Sequence, residues 1–320
     1  MKYRSLGRTG LRVSEIGIGT WAFGGPTTFG GIQIGWGKVD DKVSLETLAR
    51  CFDLGINFID TADSYGKGHS EEIVGRAVKG RRDRVIIATK CGNFEDEQGR
   101  WVQSWRPDYV QKACENSLQR LQTDHIDLYQ IHTPLPDKGE FRYEPETFEV
   151  FENLKRHGKI LYYGYSSNTS EDALRVMETG YCDTVQLFYN ILDRSAEREL
   201  FGLAMEKEIG IIARVPLASG FLSGKFSRDI RFDGNDHRVK LSRESIGEMV
   251  DKVEKIRPLA ERTGRTLSQF ALQFCLNQDA VSVVIPGAKT PQQLEQNAKA
   301  SDLGKLLPQE LRELDHLFHR

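Results

Sequence analysis

The strongest constraint on this chain is a repeated alternation. Short apolar β-rich runs are separated by amphipathic helical segments along nearly its whole length. The runs are Glu15–Gly19, Asn57–Asp60, Val85–Lys90, Ile126–His132, Ile160–Ser166, Thr184–Phe188, Gly210–Val215 and Val281–Pro286. Val85-Ile86-Ile87-Ala88 and Gly210-Ile211-Ile212-Ala213 are almost continuously apolar, as parallel strands covered on both faces must be. Between them, Leu45, Leu48, Ala49 and Phe52 share one helical face, as do Val110, Ala113, Cys114, Ser117, Leu118 and Leu121. Ser70 before two glutamates and Arg106-Pro107-Asp108 read as helix starts. Leu54-Gly55, His157-Gly158 and Ile209-Gly210 read as helix exits.

Eight such strands with no linker predict an α/β fold, a (β/α)8 TIM barrel filling one domain over residues 1–320. A doubly wound open sheet is the competing architecture. Tyr3–Val13, with Gly7 and Thr9-Gly10 inside it, reads as an N-terminal β-hairpin that could plug the barrel floor. The span from the seventh strand to the eighth has room for extra C-terminal helices.

Composition excludes several classes. The 46 acidic and 44 basic residues nearly cancel, leaving no field to attract nucleic acid or a charged membrane. No apolar run approaches the roughly 20 residues of a membrane span, and the first residues carry no signal-peptide pattern. The five cysteines, Cys51, Cys91, Cys114, Cys182 and Cys275, lie apart without CxxC pairs. They read as reduced core thiols rather than a disulfide or metal framework. A cytoplasmic protein is the expectation, monomeric or weakly homo-oligomeric, with a small-molecule partner. The basic cluster over residues 79–84 reads as a solvated turn, and Asp137, Lys138, Glu140 and Arg142 as a solvated loop surface.

In a barrel of this kind, chemistry collects where strands end at the C-terminal face. The second strand ends in Asp60, the third in Lys90 and the fourth in His132, and the loop after the second supplies Tyr65. Each alone has an ordinary explanation, as a cap, a rim charge, a core imidazole or loop packing. Together, an inward carboxylate, ammonium, imidazole and phenol are costly to bury unless they pair. They match one chemistry. A carbonyl that accepts hydride develops alkoxide character and needs a proton, which a phenol of pKa near 10 supplies only when tuned. An adjacent ammonium stabilises the phenolate, a carboxylate holds the ammonium, and an imidazole can polarise the carbonyl.

Gly17-Ile18-Gly19-Thr20-Trp21-Ala22 fits G-x-G-x-x-A straight after a strand, but the glycine-rich run continuing to Gly37 excludes the helix that a dinucleotide fingerprint needs. Phosphates belong instead after the last two strands. Pro216-Leu217-Ala218-Ser219-Gly220-Phe221-Leu222-Ser223-Gly224-Lys225 offers small residues whose amides can approach a pyrophosphate, and Lys225 adds charge. Gly24–Gly37, Cys91–Trp105, Thr133–Pro145 and Ser219–Leu241 are long enough to be pocket walls or lids. Trp21, Trp36, Phe94, Trp101 and Trp105 are candidates for an apolar substrate cleft above Tyr65 and His132.

The run Leu54-Gly55-Ile56-Asn57-Phe58-Ile59-Asp60-Thr61-Ala62-Asp63-Ser64-Tyr65-Gly66, with Ala88-Thr89-Lys90, Ser117-Leu118-Gln119-Arg120-Leu121 and Asp124-His125-Ile126-Asp127-Leu128-Tyr129-Gln130-Ile131-His132, resembles the aldo-keto reductase superfamily, in particular its bacterial general-stress and aldehyde reductase branch. The resemblance runs from Arg4 to about Asn297. It implies that Asp60, Tyr65, Lys90 and His132 form a catalytic tetrad with Tyr65 as general acid. It also implies NADP(H) as cofactor, in preference to NAD(H), for the reduction of small aldehydes or α-dicarbonyls. Gly19, Thr20 and Trp21 would lie near the nicotinamide, and Ser166 and Gln186 match positions that hold its carboxamide. Pro216 to Gly220, Leu222 and Lys225 match the cofactor clamp. Gly287, Lys289, Gln293, Gln296 and Asn297 would meet the adenosine and its 2′-phosphate.

Three positions depart from the family pattern. Ser166-Ser167 replaces Ser-Asn, leaving Asn168 as a substitute contact. Arg214 stands where an aromatic stacks under nicotinamide, a guanidinium whose charge would alter cofactor affinity. Gly287, Ala288 and Gln293 stand at the 2′-phosphate site, leaving Lys289 as its obvious partner. A sugar or polyol dehydrogenase of the same family, or a catalytically slow nucleotide-binding subunit like those of some ion channels, remains an alternative.

Overall fold

The computed structural model describes residues 1–135 and 141–318; Asp137, Lys138 and Glu140 lie outside them. Eight parallel strands form the main sheet: β1 (Ile18–Gly19), β2 (Phe58–Asp60), β3 (Ile86–Cys91), β4 (Ile126–Ile131), β5 (Ile160–Ser166), β6 (Thr184–Phe188), β7 (Gly210–Arg214) and β8 (Val281–Ile285). They pair in chain order from β1 to β8. Bridges Ile16↔Val284 and Gly19↔Gly287 join the two ends, with Gly17 N–H donating to Val284 O at 2.9 Å. The sheet therefore closes into the expected barrel and leaves no open edge.

Alternation along the strands sorts the side chains into layers. Phe58, Ile86, Ala88, Leu128, Ile212, Val283 and Ile285 pack together with Leu6 and Val13 as one buried cluster inside the barrel. Residues one step away, such as Ile59, Ile87, Tyr129 and Val185, join the larger core between sheet and helices. Leu6 and Val13 belong to the N-terminal hairpin, Tyr3–Ser5 paired with Arg12–Ser14, which does cover the barrel floor. The contact is backbone-close: a Cβ on Gly7 would lie 2.2 Å from Gly210 N, and one on Gly210 would lie 2.8 Å from Leu6 Cδ1. Gly210 is thus small to admit the hairpin, not to end a helix. The helix before it stops at Glu206.

The helices are α1 (Asp41–Asp53), α2 (His69–Val78), α3 (Pro107–Leu121), α4 (Pro145–Arg156), α5 (Ser170–Thr179), α6 (Leu200–Glu206), α7 (Arg243–Arg262), α8 (Leu267–Leu276), α9 (Pro291–Ala298) and α10 (Pro308–Leu317). Proline opens α3 as expected, and both α7 and α8 fit between β7 and β8. Ser70 does not cap α2. It lies in the first turn, fully buried, with its Oγ donating to Thr20 O at 2.9 Å and lying 3.0 Å from Thr61 Oγ1. After β1 there is only a short 3-10 turn, Trp21–Gly24, with no α-helix before Asp41, in keeping with rejection of the dinucleotide fingerprint. Two of the long loops are folded further than the sequence suggested. They hold small hairpins, Thr27–Phe29 with Ile32–Ile34 and Asn93–Glu95 with Trp101–Gln103. Among the described residues, no helix is long and apolar enough to cross a membrane.

Candidate active site

The inward alternation that fills the barrel with apolar side chains ends, at its upper rim, in a polar layer. Phe58 is followed on the same face by Asp60, Ile86 and Ala88 by Lys90, and Leu128 by Gln130. Gln186 on β6 completes the layer. All four are essentially sealed from solvent. They satisfy one another, as buried polar groups must. Lys90 Nζ donates to Asp60 Oδ2 at 2.8 Å and to Thr61 O at 2.8 Å. Asp60 Oδ1 accepts from Gln186 Nε2 at 2.7 Å and, at 3.4 Å, from Gln130 Nε2.

Lys90's third donor points up to Tyr65 Oη, 3.3 Å away. Tyr65 opens a short turn after β2, where Gly66 and Lys67 both adopt positive φ. That turn packs directly on the one carrying Trp21, since a Cβ on Gly24 would lie 2.6 Å from Gly66 N. Trp21 therefore stacks on Tyr65 with ring centroids 5.7 Å apart. His132 meets the edge of Tyr65 at 5.8 Å, and its Nδ1 lies 3.3 Å from Ser64 Oγ. All four sequence-predicted catalytic groups thus converge on one point.

Burial pushes the Tyr65 phenol above its ordinary value of 10.0, only partly countered by Lys90. Burial also disfavours the Lys90 ammonium, but Asp60 and Tyr65 together hold it above the ordinary lysine value. His132 falls well below the usual histidine value through burial, then through Lys90 and Arg214. The resting site at neutral pH is a phenol, an ammonium and a neutral imidazole. With Ser64 Oγ–H donating to Nδ1, the imidazole would present Nε2–H as a donor.

Above this point opens a cleft of about 580 Å³. Of the proposed cofactor and substrate residues, Gly19, Trp21, Asp60, Tyr65, Trp101, His132, Gln186, Arg214, Pro216, Leu217, Ser219, Gly220, Lys225, Gly287, Lys289 and Gln293 line it. The others do not. Thr20 and Ser167 are buried in bonds to the Asp60 carbonyl and to Asp172, Ser166 meets Thr133, and Ala218 and Leu222 face the core. Gln296 is exposed and Asn297 buried away from the cleft. Trp105 sits behind the wall, 6% exposed, its ring on Phe141, and Phe94 stacks on Tyr109.

The walls can receive a planar ring and phosphates. The Arg214 guanidinium carbon lies over Phe188, 3.7 Å from its centroid, with Nη2 donating to Ser167 O and Asn168 Oδ1. Its buried Nε has no partner among the described residues. After β7 the chain turns through positive φ at Val215, Ala218 and Ser219, a turn closed by Ala218 N–H to Val215 O and Gly220 N–H to Leu217 O that sets Ser219 and Gly220 on the cleft. Burial and then the neighbouring Arg238 lower Lys225; burial lowers Lys289, with Arg238 and Lys225 adding to it. Asp236, bonded to Arg238 at 2.6 Å, opposes both shifts, and Lys225 and Lys289 line the cleft beside that pair. Sequence reasoning missed Ser64, Asn93, His237 and Arg238, and named Trp36 only for the substrate pocket. His237 stacks on Trp21 at 5.0 Å and meets Trp36 at 4.1 Å, and Arg238 bonds Ser219 O. Loop length already marked the segments holding Asn93, His237 and Arg238 as pocket walls, but no period singles these residues out within them. Among the described residues there is no cluster fit to hold a metal ion.

The fold and the site together define a (β/α)8-barrel protein with a buried carboxylate–ammonium–phenol relay and a facing imidazole at the strand ends. The aldo/keto reductase family profile matches residues 15–318, and the chain belongs to that oxidoreductase family. It is 36% identical to aldo-keto reductase YhdN of Bacillus subtilis over 301 residues, 92% of this chain and 87% of that protein. It is 32% identical to the NADH-specific methylglyoxal reductase of Escherichia coli, covering 95% and 94% of the two chains. Among solved structures it is similar to the holo form of aldo-keto reductase AKR11C1 from Bacillus halodurans, with a TM-score of 0.80 at 34% identity, covering 99% and 96%. An aldo/keto reductase from Klebsiella pneumoniae in complex with NADP and acetate gives 0.73 at 28%, with 99% and 96% covered.

Proposed function

We propose that this chain reduces small aldehydes or α-dicarbonyls to alcohols with a nicotinamide nucleotide, NADPH in preference to NADH. The observation that carries the reading is the phenol of Tyr65 set 3.3 Å from an ammonium whose other bonds are to Asp60 and Thr61, at the floor of the cleft. Nicotinamide, when bound, supplies the hydride. Tyr65 gives its proton to the carbonyl oxygen, Lys90 stabilises the phenolate left behind, and Asp60 keeps Lys90 charged and in place. His132, neutral and held by Ser64, donates a hydrogen bond that orients and polarises the carbonyl. Arg214, Ser219, Gly220, Lys225 and Lys289 would hold the nucleotide.

Two measurements test this. NADPH and NADH consumption by the purified chain is followed against methylglyoxal, short aldehydes and aldoses, beside binding titrations of both nucleotides to wild type and Lys289→Ala. NADPH is expected to bind more tightly, and Lys289→Ala to lose roughly tenfold in NADPH affinity, as for a hydrogen bond to a charged group. Equal wild-type affinities would overturn the NADPH preference. Tight binding with no turnover would favour a nucleotide-binding subunit.

The second is pH. Tyr65 held above 10.0 stays protonated through neutral and mildly alkaline pH, and His132 stays neutral down to 6.5 and below. At saturating nucleotide, kcat/KM for the carbonyl should be flat between these values and fall only as the phenol ionises. A fall centred near pH 8 would assign the proton to another group.

A further inference from the structure

One wall of the cleft carries an amide that hydride transfer leaves unused. Asn93 opens the small hairpin just past the end of β3 and pairs there with Gln103. It is 7% exposed and lines the cleft together with His132 and Trp101. Its Oδ1 accepts from Trp101 Nε1 at 2.9 Å and from Gln103 Nε2 at 2.8 Å. Gln103 is itself fixed, since its Nε2 also donates to Thr133 O at 3.0 Å and its Oε1 accepts from Leu135 N at 2.6 Å.

This bonding settles which way the amide faces. An indole N–H and an amide NH₂ can only donate. Turning Asn93 over would set its own NH₂ against both of them and forfeit two bonds. Its Nδ2 is therefore held away from Trp101 and Gln103. Among the described residues Nδ2 has no acceptor, yet it is not sealed off as a buried unsatisfied atom. It is a fixed pair of N–H donors in a cleft that Phe29, Trp36 and Trp101 also line.

We propose that Asn93 selects substrates carrying a second oxygen, a hydroxyl or a further carbonyl, beside the carbonyl that is reduced. The proposal rests on the carbonyl-reduction reading above. A site that hydrogen-bonds a substrate oxygen discriminates against the analogue lacking it, because the donor is then desolvated without a partner. An alkyl aldehyde of the same shape would leave Nδ2 in that condition.

The test compares lactaldehyde with isobutyraldehyde, which differ by a hydroxyl in place of a methyl. The quantity is the ratio of their kcat/KM values in wild type and in Asn93→Asp, so that intrinsic reactivity cancels. Asn93→Asp keeps an acceptor for Trp101 and Gln103 and replaces the donor by oxygen. The ratio is expected to fall about tenfold in the variant. Where Asn93→Asp does not fold, Asn93→Leu, of the same size and without a donor, is read in the same way. A ratio within about twofold of wild type overturns the proposal while leaving carbonyl reduction intact. A wild type that reduces neither aldehyde with either nucleotide overturns the carbonyl reading, and the proposal with it.

Discussion

Tyr65→Phe is expected to lower kcat for carbonyl reduction by about 10²–10⁴-fold, the contribution typical of a positioned general acid, while the protein still folds and binds nucleotide. The substitution removes one oxygen. The ring keeps its stack on Trp21 and its edge contact with His132, so the packing of the two turns survives. What disappears is the only hydroxyl bonded to Lys90 among the described residues. Lys90 cannot readily take over as the acid. Its ammonium is held above the ordinary lysine value, with burial outweighed by Asp60 and Tyr65, and two of its three donors stay bound to Asp60 and Thr61. His132 could still polarise the carbonyl, which accounts for any residual rate. Single-turnover reduction with bound NADPH separates this loss from slow product release. Turnover above about a tenth of wild type would remove Tyr65 from the proton-donating role.

How much of this could be read from the chain follows from which interactions are local. The strands were legible because burial on both faces leaves a continuous apolar run, and the tetrad because a charge at the end of such a run has few reasons to be there. Lys90 and His132 needed no long-range information, since each stands at the end of an apolar run that is visible in sequence. The barrel's closure, by contrast, rests on Ile16↔Val284, a pairing that no local pattern encodes. The cleft's walls were legible only in part. Trp105 reads like Trp101, an aromatic in a long glycine-bearing loop. The small hairpin sends Trp101 to the cleft and Trp105 behind it, where its Nε1 lies 2.9 Å from where a Cβ on Gly92 would stand. Ser70 reads as a cap because Ser before acidic residues usually is one. Here Gly68, at positive φ, precedes the helix, and the serine hydroxyl ties the first two barrel turns together instead. Asn93 carries no message until Trp101 and Gln103 are seen to hold its oxygen.

Lys90→Met should unfold more easily than the wild type by about 3–5 kcal/mol, the usual cost of removing one member of a buried ion pair. Lys90 is 0% and Asp60 2% exposed. In the variant, Asp60 keeps only the two glutamine amides and no adjacent ammonium. Asp60→Asn strands the opposite charge. Lys90 then keeps Thr61 O and Tyr65, and without its counter-ion burial drives the ammonium toward the neutral amine. The pair's contribution in the wild type is present throughout the neutral range. A lysine held above 10.5 loses that contribution only as pH rises through its folded value. The double variant Asp60→Asn/Lys90→Met removes both charges, so it should recover most of the stability lost by either single change. It should not recover turnover, because no cation remains to stabilise the Tyr65 phenolate. Melting temperatures in the order wild type, double variant, single variants, with activity high only in the wild type, would separate the pair's two roles. A double variant no more stable than Lys90→Met would mean that the stranded carboxylate is not what destabilises the barrel rim. A Lys90→Met protein with wild-type turnover would mean that the ammonium does not tune the phenol. The layer thus trades stability against chemistry in a way that can be measured: an apolar rim could be as stable, but it could not hold a proton donor beside a cation at the mouth of the cleft.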